Sequence, residues 1–161
     1  MKQYLISSSG LDARGVGPRI MLRTFPFLLA AVATELSQAS FIRLTFFQHP
    51  IVQSSGFILL AAGLAFFLAS LIQFSRNFPK GQLICTGMYA CSRNPIYASW
   101  ILFILPSLWL FLNNWLFLLS AVVMCVATII LVKEEEASLL EVFGDQYERY
   151  RGKVGRITRK L

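Results

Sequence analysis

Residues 95–132 read PIYASWILFILPSLWLFLNNWLFLLSAVVMCVATIILV, two apolar runs broken only by Asn113 and Asn114. Each run, about Pro95 to Leu112 and Asn114 to Val132, approaches the roughly 20 residues a helix needs to cross a bilayer core. So short a break leaves room only for a tight turn, so the runs form an antiparallel helical hairpin. Upstream, about Val52 to Phe74 is a further span, in which Gly56, Ala61, Ala62, Gly63, Ala65 and Ala69 let helix backbones approach within the bilayer. A more polar first segment runs from about Ile20 to Phe47 and carries Phe25, Phe27, Leu28, Leu29, Val32 and Leu36, with Pro26 tolerable near its start. The expected fold is an all-α integral membrane protein of about four transmembrane helices with a cytoplasmic amphipathic C-terminal helix. Residues 1–161 then form a single membrane-embedded domain: a flexible or surface-lying arm (1–19), two N-terminal spans (20–80), and the hairpin with the C-terminal helix (81–161).

Composition agrees with lipid as solvent. Of 161 residues, 56% are hydrophobic and only 14% charged, 14 are Phe, and the mean hydropathy is +0.61. A soluble domain of this size needs more polar surface than that. The net charge of +7 does not point to nucleic acid, because Arg and Lys flank the apolar runs instead of interleaving with exposed aromatics. Cys85, Cys91 and Cys125 are odd in number and His49 is remote from them in sequence, so neither a disulfide framework nor a Cys/His metal site is expected.

Charge also sets the expected orientation. Lys2, Arg14, Arg19 and Arg23 precede or open the first span, and Arg76, Lys80 and Arg93 lie between the second and third. Lys133, Arg149, Arg151, Lys153, Arg156, Arg159 and Lys160 follow the fourth, whereas Arg43 alone falls on the other side. By the positive-inside rule both termini are cytoplasmic, which favours four spans over three or five. A signal peptide cleaved near Ala31-Val32-Ala33 is the competing reading of the first segment; the long preceding arm, Pro26 and the continued apolar sequence oppose it.

Two segments on the cytoplasmic face carry chemistry. In Thr86-Gly87-Met88-Tyr89-Ala90-Cys91-Ser92-Arg93-Asn94-Pro95-Ile96-Tyr97, Asn94 as N-cap and Pro95 at the first helical position start the third span. The free amides there and the Arg93 guanidinium attract anions, Gly87 permits a close backbone turn, and Tyr89 and Tyr97 can wall an aromatic pocket. Arg93 as a headgroup anchor with the tyrosines in an interfacial belt is an equally good reading of the same residues. The second segment opens with Glu134-Glu135-Glu136. It continues through Leu139, Leu140, Phe143, Tyr147, Tyr150 and Val154 at helical spacing, with a bend at Gly144 and Asp145 and Glu148 placed to restart the helix. Adjacent carboxylates repel one another unless a cation sits among them, although Lys133 and the basic tail can also neutralise them. The hairpin returns both segments to one face, where a zwitterionic ligand satisfies both.

These residues resemble the membrane-integral isoprenylcysteine carboxyl methyltransferase and phospholipid N-methyltransferase superfamily. The resemblance covers roughly Gln82 to Arg156. It rests on Thr86-Gly87-x-Tyr89, Arg93-Asn94-Pro95-x-Tyr97, the hairpin, Glu134-Glu135-Glu136, and Phe143-Gly144-x-x-Tyr147-x-x-Tyr150-x-x-x-Val154. It implies S-adenosylmethionine as cofactor, in a cytosol-facing pocket to which Gly87, Tyr89, Arg93, Asn94, Pro95 and Tyr97 contribute one wall. It further implies that Glu135 and Glu136 hold the cofactor's polar or cationic groups and serve in catalysis, and that Tyr147, Tyr150 and Arg151 close the pocket or meet the acceptor. The chain departs from the family where Asn94 replaces a frequent His and where Val154-Gly155-Arg156 replaces Val-Pro-Arg.

Methyl transfer from a sulfonium requires alignment and exclusion of water more than a protein nucleophile. A carboxylate acceptor, such as a prenylcysteine, needs no base. An ammonium acceptor, such as a phospholipid amine, must lose a proton, for which Glu135 or Glu136 is the candidate. The partners implied are the lipid bilayer and a lipophilic methyl acceptor. A different class of function stays open through Glu35, an intramembrane carboxylate of the kind a small proton-coupled exporter of cations needs; its bland alternative is a polar contact with Ser37, Gln38 or Arg43. A non-catalytic adaptor would bind no cofactor. The basic tail, Arg149, Arg151, Lys153, Arg156, Arg159 and Lys160, is suited to anionic lipid.

Overall fold

A computed structural model describes residues 15–37 and 50–159. Among them the regular structure is helical, with one isolated antiparallel bridge between Val154 and Arg159. We number four helices: α1 (Gly17–Leu36), α2 (Pro50–Asn77), α3 (Pro95–Leu112) and α4 (Trp115–Lys153). Helices α2, α3 and α4 are each long and apolar enough to cross a membrane. Helix α1 has 20 residues, about 30 Å of rise, and is more polar, with Arg19, Arg23 and Glu35. Leu22, Phe25, Leu29, Val32 and Leu36 are exposed on α1, Phe57, Ile58, Leu68 and Ile72 on α2, and Val122, Val126 and Ile130 on α4. So much outward apolar surface on all sides is stable only in lipid; the protein is a multi-pass integral membrane protein.

The first segment begins earlier than its hydropathy indicates. Pro18 opens α1 at a position where its missing N–H costs nothing, so the helix starts at Gly17, and Pro26 lies in its interior. Gly15 and Val16, assigned to the arm by sequence, are packed: Val16 is buried, as are Ile20, Thr24 and Ala31 one face further along. Arg43 and His49 lie outside the described residues.

Helix α2 packs on α3 through Gly56, Gly63 and Ser70, spaced by seven. A Cβ on Gly63 would come within 2.6 Å of Phe103 Cβ, and one on Gly56 within 3.2 Å of Phe111 N. The neighbouring alanines 61, 62 and 65 face outward instead. In α3, residues Trp100–Ile104 widen into a π turn just ahead of Pro106, which has no N–H for Leu102 and whose ring crowds that carbonyl.

The hairpin turn is as tight as its sequence requires. Asn113 takes a left-handed conformation (φ 56°), and Asn114 caps α4 by accepting from Leu116 N at 3.1 Å. The buried Asn114 amide also donates to Ala31 O and Thr34 Oγ1, both at 3.1 Å, tying the end of α1 to the hairpin. Glu35 accepts from the same amide at 3.5 Å; its carboxylate thus lies at the turn end of the bundle, and Asn114 is among its partners. The core joins Ile20, Ile101, Leu105, Phe117, Met124 and Leu131.

After the apolar run to Val132, α4 continues out of the bundle to Lys153. It breaks at Gly144 (φ 48°, ψ −126°), a conformation nearly closed to residues with a Cβ, so the bend expected there is present. Beyond it Tyr147, Tyr150 and Val154 pack with Leu83, Cys85, Leu139 and Phe143. Leu140, counted in the same apolar face by its spacing, points outward, and Glu148 pairs with Arg151 at 2.7 Å instead of capping.

Candidate functional site

At the end of the bundle opposite the Asn113–Asn114 turn, a cavity of about 350 Å³ opens among four pieces of chain. Phe74 of α2 and Phe78 just past its end contribute one side, and the 81–94 connection contributes Leu83, Ile84, Tyr89, Arg93 and Asn94. The start of α3 adds Pro95 and Tyr97, and α4 beyond the apolar run adds Glu135, Glu136, Leu139, Phe143, Tyr147 and Tyr150. Gly15, ahead of α1, completes the rim. The size is that of a small-molecule site, and the walls are mostly apolar with a few charged groups.

Successive residues on a helix project about 100° apart, and this separates the two glutamates. Glu136 is turned to the interior and almost fully buried. Its Oε1 meets Arg93 Nη1 at 2.9 Å, while Arg156 binds both oxygens, through Nε at 2.9 Å and Nη2 at 2.7 Å. Such a bidentate fork is the strong form of the pair and raises the Arg156 pKa. Arg93 also donates to the Tyr147 hydroxyl at 3.0 Å. Its Nε–H is buried and meets no acceptor among the described residues.

Glu135 faces the cavity and α1. Val16 N donates to Glu135 Oε1 at 2.6 Å, and the other oxygen takes no hydrogen bond from any described residue. Burial raises the Glu135 pKa above the usual carboxylate value, the Val16 amide opposes that, and the charges of Glu134 and Glu136 add to it. Glu134 is outermost and pairs with Arg19 of α1.

The connection to α3 is held from both sides. Gln73 of α2 donates to Thr86 O at 2.6 Å and accepts from Met88 N at 3.0 Å. Gly87 lies against that amide, with room for no side chain: a Cβ there would be 2.7 Å from Gln73 Oε1. Gly87 therefore shapes the connection from outside the cavity. From the other side the C-terminal strap, residues 154–159, binds the Ser92–Asn94 turn. Arg93 N donates to Gly155 O at 2.9 Å, and Ser92 Oγ and Asn94 Nδ2 donate to Arg156 O at 2.9 and 3.1 Å. Asn94 occupies the N-cap position, but its side chain serves the strap, and no side chain caps the start of α3. The donors of that helix start are thus left for another acceptor.

A family profile described as phospholipid methyltransferase matches residues 52–146, more than half of the chain. The chain belongs to the phospholipid methyltransferase family. Comparison with curated proteins finds no match. The family assignment makes this a membrane methyltransferase of the lipid-acting kind, within the superfamily that also holds the isoprenylcysteine enzymes. The matched stretch supplies α2, α3, the connection and both glutamates. Helix α1, Tyr147, Tyr150 and the strap lie outside it.

Of the site residues read from the sequence, Tyr89, Arg93, Asn94, Pro95, Tyr97, Glu135, Glu136, Tyr147 and Tyr150 come together around the cavity, while Gly87 and Arg151 do not. Tyr150 donates to Tyr89 O at 2.6 Å, and burial raises its pKa as it does that of Tyr147. Arg151 lies on the far side of the Arg93–Glu136 pair, in an open hollow with Ile129, Arg156 and Ile157, and its partner is Glu148. Three participants were missed. Gly15 and Val16 looked like arm, although Pro18 signals a helix start beside them. Arg156 belongs by sequence to the basic tail and to the Val154-Gly155-Arg156 ending, and nothing local marks it as the partner of Glu136. Among the described residues no cluster of His, Cys, Asp and Glu is arranged to hold a metal ion.

Proposed function

We propose that the protein transfers a methyl group from S-adenosylmethionine to a lipid amine in this cavity, with Glu135 as the working carboxylate. The observation that carries the reading is the contrast within one cavity: a half-buried carboxylate with an open oxygen on the α4 wall, and uncapped helix amides beside Arg93 on the α3 wall. A zwitterion with an apolar body fits that charge pattern between the rings of Tyr89, Tyr97 and Phe143. The cofactor, when bound, supplies an electrophilic methyl on a sulfonium. Arg93 and the first amides of α3 attract its carboxylate, and Glu135 faces its cationic groups or those of the acceptor.

The raised pKa of Glu135 suits it to take the proton of an ammonium acceptor, which frees the nitrogen lone pair for in-line attack. Glu136, clamped by two arginines, keeps Arg93 and Tyr147 in place. The aromatic wall excludes water from the transfer. A membrane-embedded acceptor enters from the bilayer side, since the cavity adjoins the end of the apolar bundle. The described Lys and Arg residues gather at this end, which by the positive-inside rule is cytoplasmic.

The test is calorimetric titration of S-adenosylmethionine and S-adenosylhomocysteine into the full chain in nanodiscs, followed by methyl transfer to phosphatidylethanolamine and to a prenylcysteine. Saturable binding, lost in Glu135→Ala and kept in Gly152→Ala, with transfer to the amine, is expected. Absence of binding by well-folded protein would sink the cofactor assignment, and transfer to the prenylcysteine alone would sink the acceptor.

A further inference from the structure

We infer that the Gly15–Val16 turn ahead of α1 is the positioning element for Glu135, so that α1, outside the family match, is an integral part of the reaction site. Three observations meet at this point. Val16 N donates to Glu135 Oε1 at 2.6 Å. Gly15 has φ 44° and stands so close that a Cβ there would overlap Glu135 Oε1 and lie 2.8 Å from Cδ. The turn itself is fixed: Val16 is 4% exposed, Ile20 is fully buried, and Arg19 pairs with Glu134 on the same helix as Glu135.

The amide that holds Glu135 belongs to the N-cap residue of α1, whose helix N-terminus carries the positive end of the dipole. It therefore does two things at once. It fixes one oxygen, which directs the other to the cavity, and it supplies the counter-charge that this half-buried carboxylate otherwise lacks among the described residues. Among the described residues no full cation does so: Arg19 is taken by Glu134 and Arg93 by Glu136. The other groups facing Glu135 are acidic or neutral, namely Glu134 and Glu136 on α4, Tyr97 on α3 and Tyr89 on the connection. Glycine at position 15 allows this approach. A side chain there would overlap the Glu135 carboxylate, so either the carboxylate or the turn must shift and the bond to the Val16 amide is lost.

The inference rests on the proposed function only in its second arm, and the experiment separates the two. The first arm is a ligand-free double-mutant cycle on the full chain in nanodiscs, reading the thermal midpoint of wild type, Gly15→Ala, Glu135→Ala and the double variant. Gly15→Ala is expected to lower the midpoint by roughly 3 °C or more in the wild-type background and by less where Glu135 is already alanine, where only the strain of the left-handed backbone at φ 44° remains. Gly152→Ala, on open surface, serves as the unchanged control. The second arm measures S-adenosylhomocysteine binding against pH. In Gly15→Ala the acid limb of binding moves to higher pH, because the lost amide no longer favours the charged carboxylate; a merely structural role for Gly15 leaves the limb where it is.

Equal losses from Gly15→Ala in both Glu135 backgrounds would overturn the inference, as would an unmoved acid limb in a variant that still binds. Coupling in the first arm with no ligand binding by any variant, wild type included, would uphold the positioning role and remove the cofactor reading instead.

Discussion

The cavity wall around Glu136 is closed on itself, its carboxylate shared by Arg93 and Arg156 and shielded from water, whereas the wall around Glu135, one residue earlier, keeps an oxygen open and leans on a backbone amide of α1. Both residues come from the same acidic run and differ only in the turn of the helix. That rotation points Glu136 at the C-terminal strap and Glu135 at the N-terminal helix. Adjacent identical side chains are thus divided between one locked by two arginines and one left with an open oxygen on the cavity. The matched frame of α2 to α4 brings the glutamates to the cavity, and the flanking segments decide what each one does.

Removing Glu136 should have the largest effect. Glu136→Ala leaves the buried Arg93 guanidinium without its carboxylate beside the partly exposed Arg156, and breaking a buried pair from one side typically costs about 3–5 kcal/mol. Unfolding in detergent should show a destabilised protein, and proteolysis should cut the released strap near Gly155. A Glu136→Ala variant of wild-type stability that has lost ligand binding would show instead that Glu136 belongs to the ligand.

Glu135→Gln should do the reverse. We expect methyl transfer to fall by about 10²–10⁴-fold, the usual worth of a general base, with stability at neutral pH kept or improved. The sign follows from the raised pKa: the folded state holds the Glu135 proton more tightly than the unfolded chain does. Its contribution is therefore fully present below the ordinary carboxylate value and is lost as pH rises through the raised one. Unfolding curves from pH 4 to 8 should accordingly fall with pH more steeply in wild type than in Glu135→Gln. Parallel curves would mean that Glu135 is not held with a raised pKa in this wall.

This division was only half legible in the sequence. Hydropathy and turn chemistry are local, so the Asn113–Asn114 hairpin, the Asn94-Pro95 helix start and the break at Gly144 could be read from a few neighbouring residues each. The two glutamates could be read as a charged pair, but their separate duties could not, because each is set by a distant partner. Val16 lies 119 residues from Glu135, and Arg156 reaches Glu136 only because the chain bends between them. Small residues on α2 misled in the same way: glycine and alanine look alike as packing surfaces, yet only Gly56 and Gly63 sit where the backbone of α3 approaches.

The bend itself gives a smaller effect. Gly144→Ala meets no neighbour, since nothing lies within 4 Å of the added Cβ. Its whole cost is that of forcing an L-residue into a glycine-only conformation, about 1–3 kcal/mol. That strain falls on the segment that seats Tyr147 and Tyr150, so stability should drop by that amount while the α4 side of Glu135 is undisturbed. Hydrogen exchange should locate the loosening beyond residue 144, with residues 115–143 unchanged.

The smallest effect is expected at Arg151, and it bears on where the acceptor sits. Arg151 and Glu148 form an exposed pair one turn apart, 40% and 54% accessible, of the kind that contributes about 0–1 kcal/mol. Its side chain lies behind the Arg93–Glu136 pair and lines none of the main cavity. Arg151→Ala should therefore leave the thermal midpoint and cofactor binding at wild-type values, and the KM for a soluble short-chain acceptor likewise. If KM rises while kcat and cofactor binding hold, the acceptor reaches past the buried pair into the hollow beyond, and the closed wall around Glu136 is a partition between two ligand sites instead of the back of one.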